Sequence, residues 1–237
     1  MTSIERGLWC VVPAAGRSAR YGGEVPKQYQ TLAGKPMLLQ TLERLATHPC
    51  VAGIMVALAA DDRYWRDNIA IGAITIRTTT GGEQRADSVL AGLDALREQV
   101  GDDEFVLVHD AARPCVRADD ISRLIDIGIP AGGALLAAPL RDTLKRSDHE
   151  RRVEATEPRE ARWRALTPQL FRFGELVSAL RSALEAGITI TDEAMAMERV
   201  GHRPLLVEGS ESNIKVTTPD DLALAEFLIA REAKRET

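Results

Sequence analysis

The chain has only three cysteines, Cys10, Cys50 and Cys115, among 237 residues, and no two of them form a CxxC pair. An odd number of scattered thiols excludes a disulfide framework and fits a reducing cytosol, so the expected location is cytoplasmic. Cys10 falls inside an apolar run and reads as a core thiol. The four histidines (His48, His109, His149 and His202) are too dispersed to make a zinc site, and no metal held by protein ligands is expected. No window reaches the ~18 apolar residues of a membrane span. The opening "MTSIERGLWCVV" has neither the apolar stretch nor the cleavage pattern of a signal peptide. A basic excess is missing as well. The net charge of −5 argues against a nucleic-acid surface, while a local cluster of cations can still hold a small anion.

What is present is an ordinary globular composition, 45% hydrophobic and 27% charged, in a length that fits one domain, 1–237. Apolar runs alternate with helical periodicities. Strands are expected at Leu8–Val12, Gly53–Leu58, Ile74–Thr78, Phe105–His109, Ala134–Pro139 and Pro204–Val207. Helices are expected at Pro36–Thr47, Asp87–Arg97, Asp119–Ile127, Glu175–Glu185, Asp192–Val200 and Asp220–Glu232. Strands that are apolar throughout, alternating with amphipathic helices, predict an α/β fold: a mostly parallel sheet covered by helices on both faces. Ligands of such sheets sit beyond the carboxyl ends of the strands.

Residues 140–162, "LRDTLKRSDHERRVEATEPREAR", break this rhythm: more than half are charged and no helical period is visible. The segment reads as a solvated insertion or as an arm that reaches a neighbouring subunit.

Several loops carry candidate chemistry. In "PAAGRSARYGGEVPKQY" a turn of small residues, Ala14, Ala15 and Gly16, lets backbone N–H groups approach a ligand, and Arg17, Arg20 and Lys27 supply positive charge. The dinucleotide fingerprint G-x-G-x-x-G is absent, and no Gly-Lys-Ser/Thr closes a P-loop. A polyphosphate suits these cations, as does a solvated surface loop. "TGGEQRADSV" pairs Gly81-Gly82 with Ser88 at a strand-to-helix turn, where Asp87 would otherwise be a local cap. "VLVHDAARPCV" places Asp110 and Arg113 at a strand's carboxyl end, suited to polyol hydroxyls and a phosphate or to a plain ion pair. Lys215 lies in a short extended stretch before a helix with Thr218 as cap and Pro219 at its first position. Thr191 starts a further helix and would also serve as a simple cap.

Together, in this order, "PAAGRSARYGGEVPKQY", "GGEQRADSVLAGL", "VLVHDAARPCV", "PLRDTLKR", "ALTPQLF", "ITDEA" and "VEGSESNIKVTTPDDLALAEF" resemble the 2-C-methyl-D-erythritol 4-phosphate cytidylyltransferases from about residue 9 to 228. The resemblance implies a Rossmann-like nucleotidyltransferase fold with a protruding β-arm, 140–162, that makes a homodimer. It implies CTP and methylerythritol phosphate as substrates, with Mg²⁺ or another divalent cation on the CTP phosphates and no nucleic-acid or membrane partner. Carried over by residue, Arg20, Lys27 and Lys215 would be catalytic, and Ala14, Ala15, Gly16, Arg17, Gly82, Glu83 and Ser88 would hold CTP. Asp110, Arg113, Thr143, Arg159, Thr167 and Thr191 would hold the polyol phosphate, with Thr143 and Arg159 acting in the partner's site.

The family's loop usually reads P-A-A-G-x-G-x-R, and here Ser18 replaces the second glycine. A left-handed backbone at that position would cost Ser roughly 1–2 kcal/mol. Tyr21 stands where Met is common and Glu83 where Asp is common. Ribitol 5-phosphate cytidylyltransferases, the nearest alternative, usually carry Gly-Gly in place of Ala14-Ala15. A non-catalytic nucleotide-binding module would have no reason to keep Arg20, Lys27 and Lys215 together.

Overall fold

In the computed structural model, which describes residues 7–16, 25–66, 71 and 74–234, the first apolar run forms strand β1 (Leu8–Pro13). A two-residue hairpin follows, β2 (Thr31–Leu32) and β3 (Lys35–Pro36), then α1 (Met37–Ala46), β4 (Val51–Leu58), β5 (Thr75–Thr80) and α2 (Arg85–Asp94). The chain continues through β6 (Phe105–Val108), α3 (Ala118–Ala131), β7 (Gly133–Pro139), β8 (Leu144–Ser147) and β9 (Val153–Glu157). It closes with β10 (Trp163–Arg172), α4 (Phe173–Glu185), α5 (Glu193–Arg199), β11 (Leu205–Glu208) and α6 (Pro219–Ala233).

Among the described residues the central sheet has seven strands in the order β11-β7-β10-β6-β1-β4-β5. β1 pairs in parallel with β4 and β6, β4 with β5, and β7 with β11. β10 runs antiparallel to both its neighbours, so every other strand points one way. The period-2 alternation of strands divides the core. Cys10 and Val12 of β1 and Leu107 of β6 pack with Leu42 of α1 and Leu124 of α3, while Val11, Val106 and Val108 pack on the other face with Leu93 of α2 and Leu180 of α4. Cys10 is fully buried, and burial pushes its thiol far up, as a core thiol requires. Leu93 has no exposed surface, so Leu93→Ala is expected to cost about 2–5 kcal/mol in urea unfolding.

The structure departs from the sequence expectations at two places. β5, "TIRTTT", is not apolar: it is the edge of the sheet, where Thr satisfies β-propensity while facing water. β10 was not expected as a strand at all, because Pro168 interrupts its apolar run. The pairing with β7 shifts register between Ala165 and Gln169, and this irregularity accommodates a residue with no N–H to donate. Residues 140–162 form the β-arm that the resemblance implies: β8 and β9 pair as an antiparallel hairpin, closed at its base by Leu140 N donating to Arg162 O at 2.9 Å. Val153, 66% exposed, projects from this arm.

The chain moves outward from β1 to β4 and β5, then returns to place β6 on the opposite side of β1. The topological switch therefore lies between β1 and β6. Their carboxyl ends, Ala14–Gly16 and His109–Arg113, frame the crevice where an open α/β sheet binds ligands.

Candidate active site

A cavity of about 190 Å³ opens at that switch point. Ala14, Ala15 and Gly16 form one wall, Gly82, Glu83, Arg85 and Ser88 a second, and Asp110, Lys27 and Lys215 reach it from other segments.

The wall formed by Gly82, Glu83, Arg85 and Ser88 is a tight turn. An added Cβ at Gly81 would lie 2.7 Å from both the Ala15 Cβ and the Ser88 Oγ, so only glycine fits between them. Ser88 is buried, and its Oγ accepts from Gly82 N at 3.2 Å and faces the carbonyls of Gly82 and Gln84 at 3.3 and 3.2 Å. Its hydroxyl therefore shapes the turn. α2 opens with a capping box: Gln84 is the N-cap and Asp87, at the third helical position, accepts from Gln84 N at 3.0 Å. The N-terminus of α2, with its partial positive charge, faces the cavity.

Lys27 begins a 3₁₀ turn, Lys27–Tyr29, whose Pro26 presets the entry. The buried Gln28 donates from Nε2 to Ala14 O at 2.8 Å, fastening this turn to the end of β1. Tyr29 OH donates to Asp62 Oδ2 at 2.8 Å and the ring stacks on Tyr64.

Asp110 is the hub. Its Oδ1 accepts from Arg85 Nε at 2.7 Å, and its Oδ2 from Lys215 Nζ at 2.9 Å and Arg113 Nε at 3.4 Å. Burial alone would push this carboxyl up, but Arg85, then Lys215 and Arg113, outweigh it and hold Asp110 far below the usual carboxylate range. Arg85 in turn donates from Nη1 and Nη2 to the two Glu193 oxygens at 2.7 and 3.0 Å. Burial opposes the charge on Arg85, yet Glu193 and Asp110 together raise its pKa. Arg113 donates to Asn213 O at 2.7 Å, and Val216 N donates to Ala112 O at 2.8 Å, so the backbone carrying Lys215 is pinned on both sides.

Thr167 is tied to the same strand end. His109 Nε2 faces Arg113 O at 3.1 Å, an atom that can only accept, so this nitrogen carries the ring proton. Nδ1 then accepts from Thr167 Oγ1 at 3.0 Å, and Oγ1 accepts from Asp110 N at 3.1 Å. Burial lowers the His109 pKa from its ordinary 6.5 to about 4, keeping the ring neutral. The unfolded chain therefore binds the extra proton first as pH falls. Stability from this residue is full above pH 6.5 and declines towards pH 4 by about 1.4 kcal/mol per unit. His109→Gln is expected to flatten that slope in urea unfolding measured at several pH values.

A family model described as 2-C-methyl-D-erythritol 4-phosphate cytidylyltransferase matches residues 8–231. The chain belongs to that cytidylyltransferase family. It is 55% identical to the enzyme of this name from Xanthomonas campestris pv. campestris, with 96% of this chain and 89% of the relative covered. Among solved structures, one titled 4-diphosphocytidyl-2C-methyl-D-erythritol synthase superposes with a TM-score of 0.81 at 33% identity, covering 94% of this chain and 99% of that one. The Francisella tularensis 2-C-methyl-D-erythritol 4-phosphate cytidylyltransferase gives 0.79 at 35% identity, over the same shares. The fold is thus the α/β nucleotidyltransferase fold of this cytidylyltransferase family, its sheet mostly parallel.

Of the residues expected from the sequence, Ala14, Ala15, Gly16, Lys27, Gly82, Glu83, Ser88, Asp110 and Lys215 line one cavity. Arg113 and Thr167 adjoin it through Asp110. Arg17, Ser18, Arg20 and Tyr21 lie outside the described residues. Thr143 and Arg159 sit on the exposed arm, with Arg159 donating to Arg141 O, and neither lines the cavity. Thr191 is exposed and does not start the helix. α5 begins at Glu193 and is capped by Asp192, whose carboxylate accepts from Met195 N at 3.0 Å. A carboxylate three positions before the third helical N–H makes the better cap, and Gln169 Nε2 holds it from β10 at 3.0 Å.

Arg85 and Glu193 were not singled out from the sequence. The available signal was a cation at the first position of a helix, where the dipole disfavours it. A carboxylate elsewhere in the fold compensates it, and that long-range partner is invisible locally. Among the described residues no group of three His, Cys, Asp or Glu could hold a metal, and no helix is long and apolar enough to cross a membrane.

Proposed function

We propose that this cavity is where the chain transfers CMP from CTP to 2-C-methyl-D-erythritol 4-phosphate, giving 4-diphosphocytidyl-2-C-methyl-D-erythritol and pyrophosphate. The observation that carries the reading is the convergence of Lys27, Lys215 and the N-terminus of α2 on the small-residue turn after β1. Turn and helix present backbone N–H groups at a site rimmed by cations, as a nucleoside triphosphate requires.

The nucleophile is the substrate's own phosphate, whose second pKa of ~6 leaves it largely dianionic at neutral pH. One of its oxygens attacks the α-phosphorus in line, forming a new P–O bond as the bond to the β-phosphate oxygen breaks and pyrophosphate departs. No proton needs to be removed. Among the described residues none is placed as a general base: His109 is neutral, with both ring nitrogens engaged. What it does offer is positive charge, from Lys27 and Lys215, aimed where charge accumulates. Arg20, and Arg17 beside it, extend this clamp on the strength of the family resemblance. Ala14, Ala15, Gly82 and Glu83 surround the cytidine, and Ser88 holds the turn that reads it. Asp110, Arg113, Thr167 and Thr191 receive the polyol phosphate.

A divalent cation, Mg²⁺ in our reading, would further neutralise the triphosphate. Both Asp110 oxygens are already committed to cations, so the donor set fits a metal carried by phosphate oxygens and water.

The enzyme acts as a cytoplasmic homodimer in this reading, with the 140–162 arm bringing Thr143 and Arg159 to the partner's site. The exposed Val153 on a charged hairpin supports it. Val153→Asp is expected to shift the chain from dimer to monomer in light scattering and to lower turnover together with it. A fully active monomer would remove the arm from the mechanism. The test of the reaction itself is product detection by phosphorus NMR from CTP, Mg²⁺ and methylerythritol phosphate. Appearance of a diphosphate diester and pyrophosphate is expected, and nucleotide hydrolysis alone would contradict it.

A further inference from the structure

Glu193 is 0% exposed and does not line the cavity, yet it is held by two charge-assisted hydrogen bonds from Arg85. Burying this carboxylate is expensive, and well-packed apolar side chains would fasten α5 to α2 as well as an ion pair does. The geometry of the pair suggests why it is there. By engaging Nη1 and Nη2, Glu193 fixes the plane of the guanidinium and leaves Nε directed at Asp110 Oδ1, 2.7 Å away. A Lys in place of Arg85 could not serve both carboxylates with one fixed fork.

The other Asp110 oxygen tells the second half. Oδ2 is bonded to Lys215 Nζ at 2.9 Å and only loosely to Arg113 Nε at 3.4 Å. Lys215 is 38% exposed on its side chain, whereas Asp110 is 8% exposed. An incoming phosphate therefore competes with Asp110 for Lys215. When Lys215 turns to the phosphate, Asp110 would be left in a buried site with one long hydrogen bond unless Arg85 stays in place. Arg85, Arg113 and Lys215 carry three positive charges against the two negative charges of Asp110 and Glu193, leaving one net positive charge for the ligand.

The geometry points to Glu193 as a positioning residue that acts through Arg85, anchoring Asp110 so that Lys215 can exchange the carboxylate for a substrate phosphate. This rests on the assignment of the cavity as the cytidylyl-transfer site, with Asp110 on the polyol-phosphate side. Neutralising Glu193 releases the fork, Asp110 loses its fixed direction, and Lys215 is retained by the carboxylate. The nucleotide-side turn, built from Gly82 and Ser88, is untouched.

Steady-state kinetics with both substrates varied test this in Glu193→Gln, in Glu193→Asp and in the apolar double variant Arg85→Met/Glu193→Met, with thermal melts alongside. In Glu193→Gln, kcat/KM for methylerythritol phosphate is expected to fall about 10- to 100-fold, as for a misplaced reacting group, with the KM for CTP within about twofold. Glu193→Asp, which keeps the charge, is expected to recover part of the loss. Should Glu193→Gln fail to fold, the double variant keeps the question open to measurement, since apolar packing can replace the pair: a wild-type melt with reduced kcat/KM supports the positioning role. Wild-type kinetics in either folded variant would reduce the pair to a fastening between helices and overturn the inference. A loss confined to CTP affinity would overturn it too. Full activity in Lys215→Ala would instead fault the site assignment, whatever Glu193 does.

Discussion

Replacing Lys215 with alanine is expected to lower kcat by about 10²- to 10³-fold, the loss seen when one preorganised donor to a developing charge is removed. The expectation follows from how the residue is presented. The segment before α6 is held by Arg113 on Asn213 O and by Val216 N on Ala112 O, so the lysine emerges from a fixed backbone. Its ammonium is braced on one side by Asp110 and is open on the other to the cavity. Once handed from Asp110 to the bound phosphate, the ammonium need not move again as the pentacoordinate phosphorus forms, which is why its removal should appear in kcat. The melting temperature should change little, because a partly exposed lysine contributes modestly to folding. Single-turnover chemistry followed by rapid quench separates this from slowed product release.

Asp110→Ala carries the second large effect, on stability as well as activity. It strips the shared counter-charge from Arg85 and Arg113, both substantially buried, and breaking such a network by removing one partner costs about 3–5 kcal/mol. For a chain of this size that corresponds to a fall in Tm of roughly 6–20 °C in calorimetry. Turnover should drop below detection. The pH dependence has a definite sign. The folded-state carboxyl is held below its ordinary 3.8, chiefly because Arg85, Lys215 and Arg113 outweigh the burial that would raise it. Its contribution is therefore complete above that ordinary value and is lost as pH falls through the folded value. Asp110→Asn should show a correspondingly shallower decline of stability below pH 4 than the wild-type chain.

The α/β architecture was legible because the strands of the sheet's centre are buried on both faces and read as unbroken apolar runs, as in "VLV" of β6. Boundaries shifted by only a few residues where caps decide them. α2 starts at Arg85 because Gln84 and Asp87 cap each other, and α6 starts at Pro219 after its Thr218 cap, as the sequence indicated. β10 was hidden because Pro168 contradicts a central strand locally, and only its pairing with β6 and β7 reveals the accommodating irregularity. The cavity-lining glycines and cations were visible as motifs. Their physical roles were not: Ser88 turned out to brace a turn, Asp192 rather than Thr191 caps α5, and the partnership of Arg85 with Glu193 spans residues far apart in sequence. Local sequence shows which residue types a loop offers, while the distribution of buried charge emerges only when the segments meet.

The most direct test of the central claim is pyrophosphate release by the purified chain with CTP, Mg²⁺ and methylerythritol phosphate, run beside Lys215→Ala, the other nucleoside triphosphates and ribitol 5-phosphate. The account predicts turnover with CTP and methylerythritol phosphate together, and a fall of about 10²- to 10³-fold in the variant. Turnover with ribitol 5-phosphate in place of methylerythritol phosphate, or an unimpaired Lys215→Ala enzyme, would contradict it.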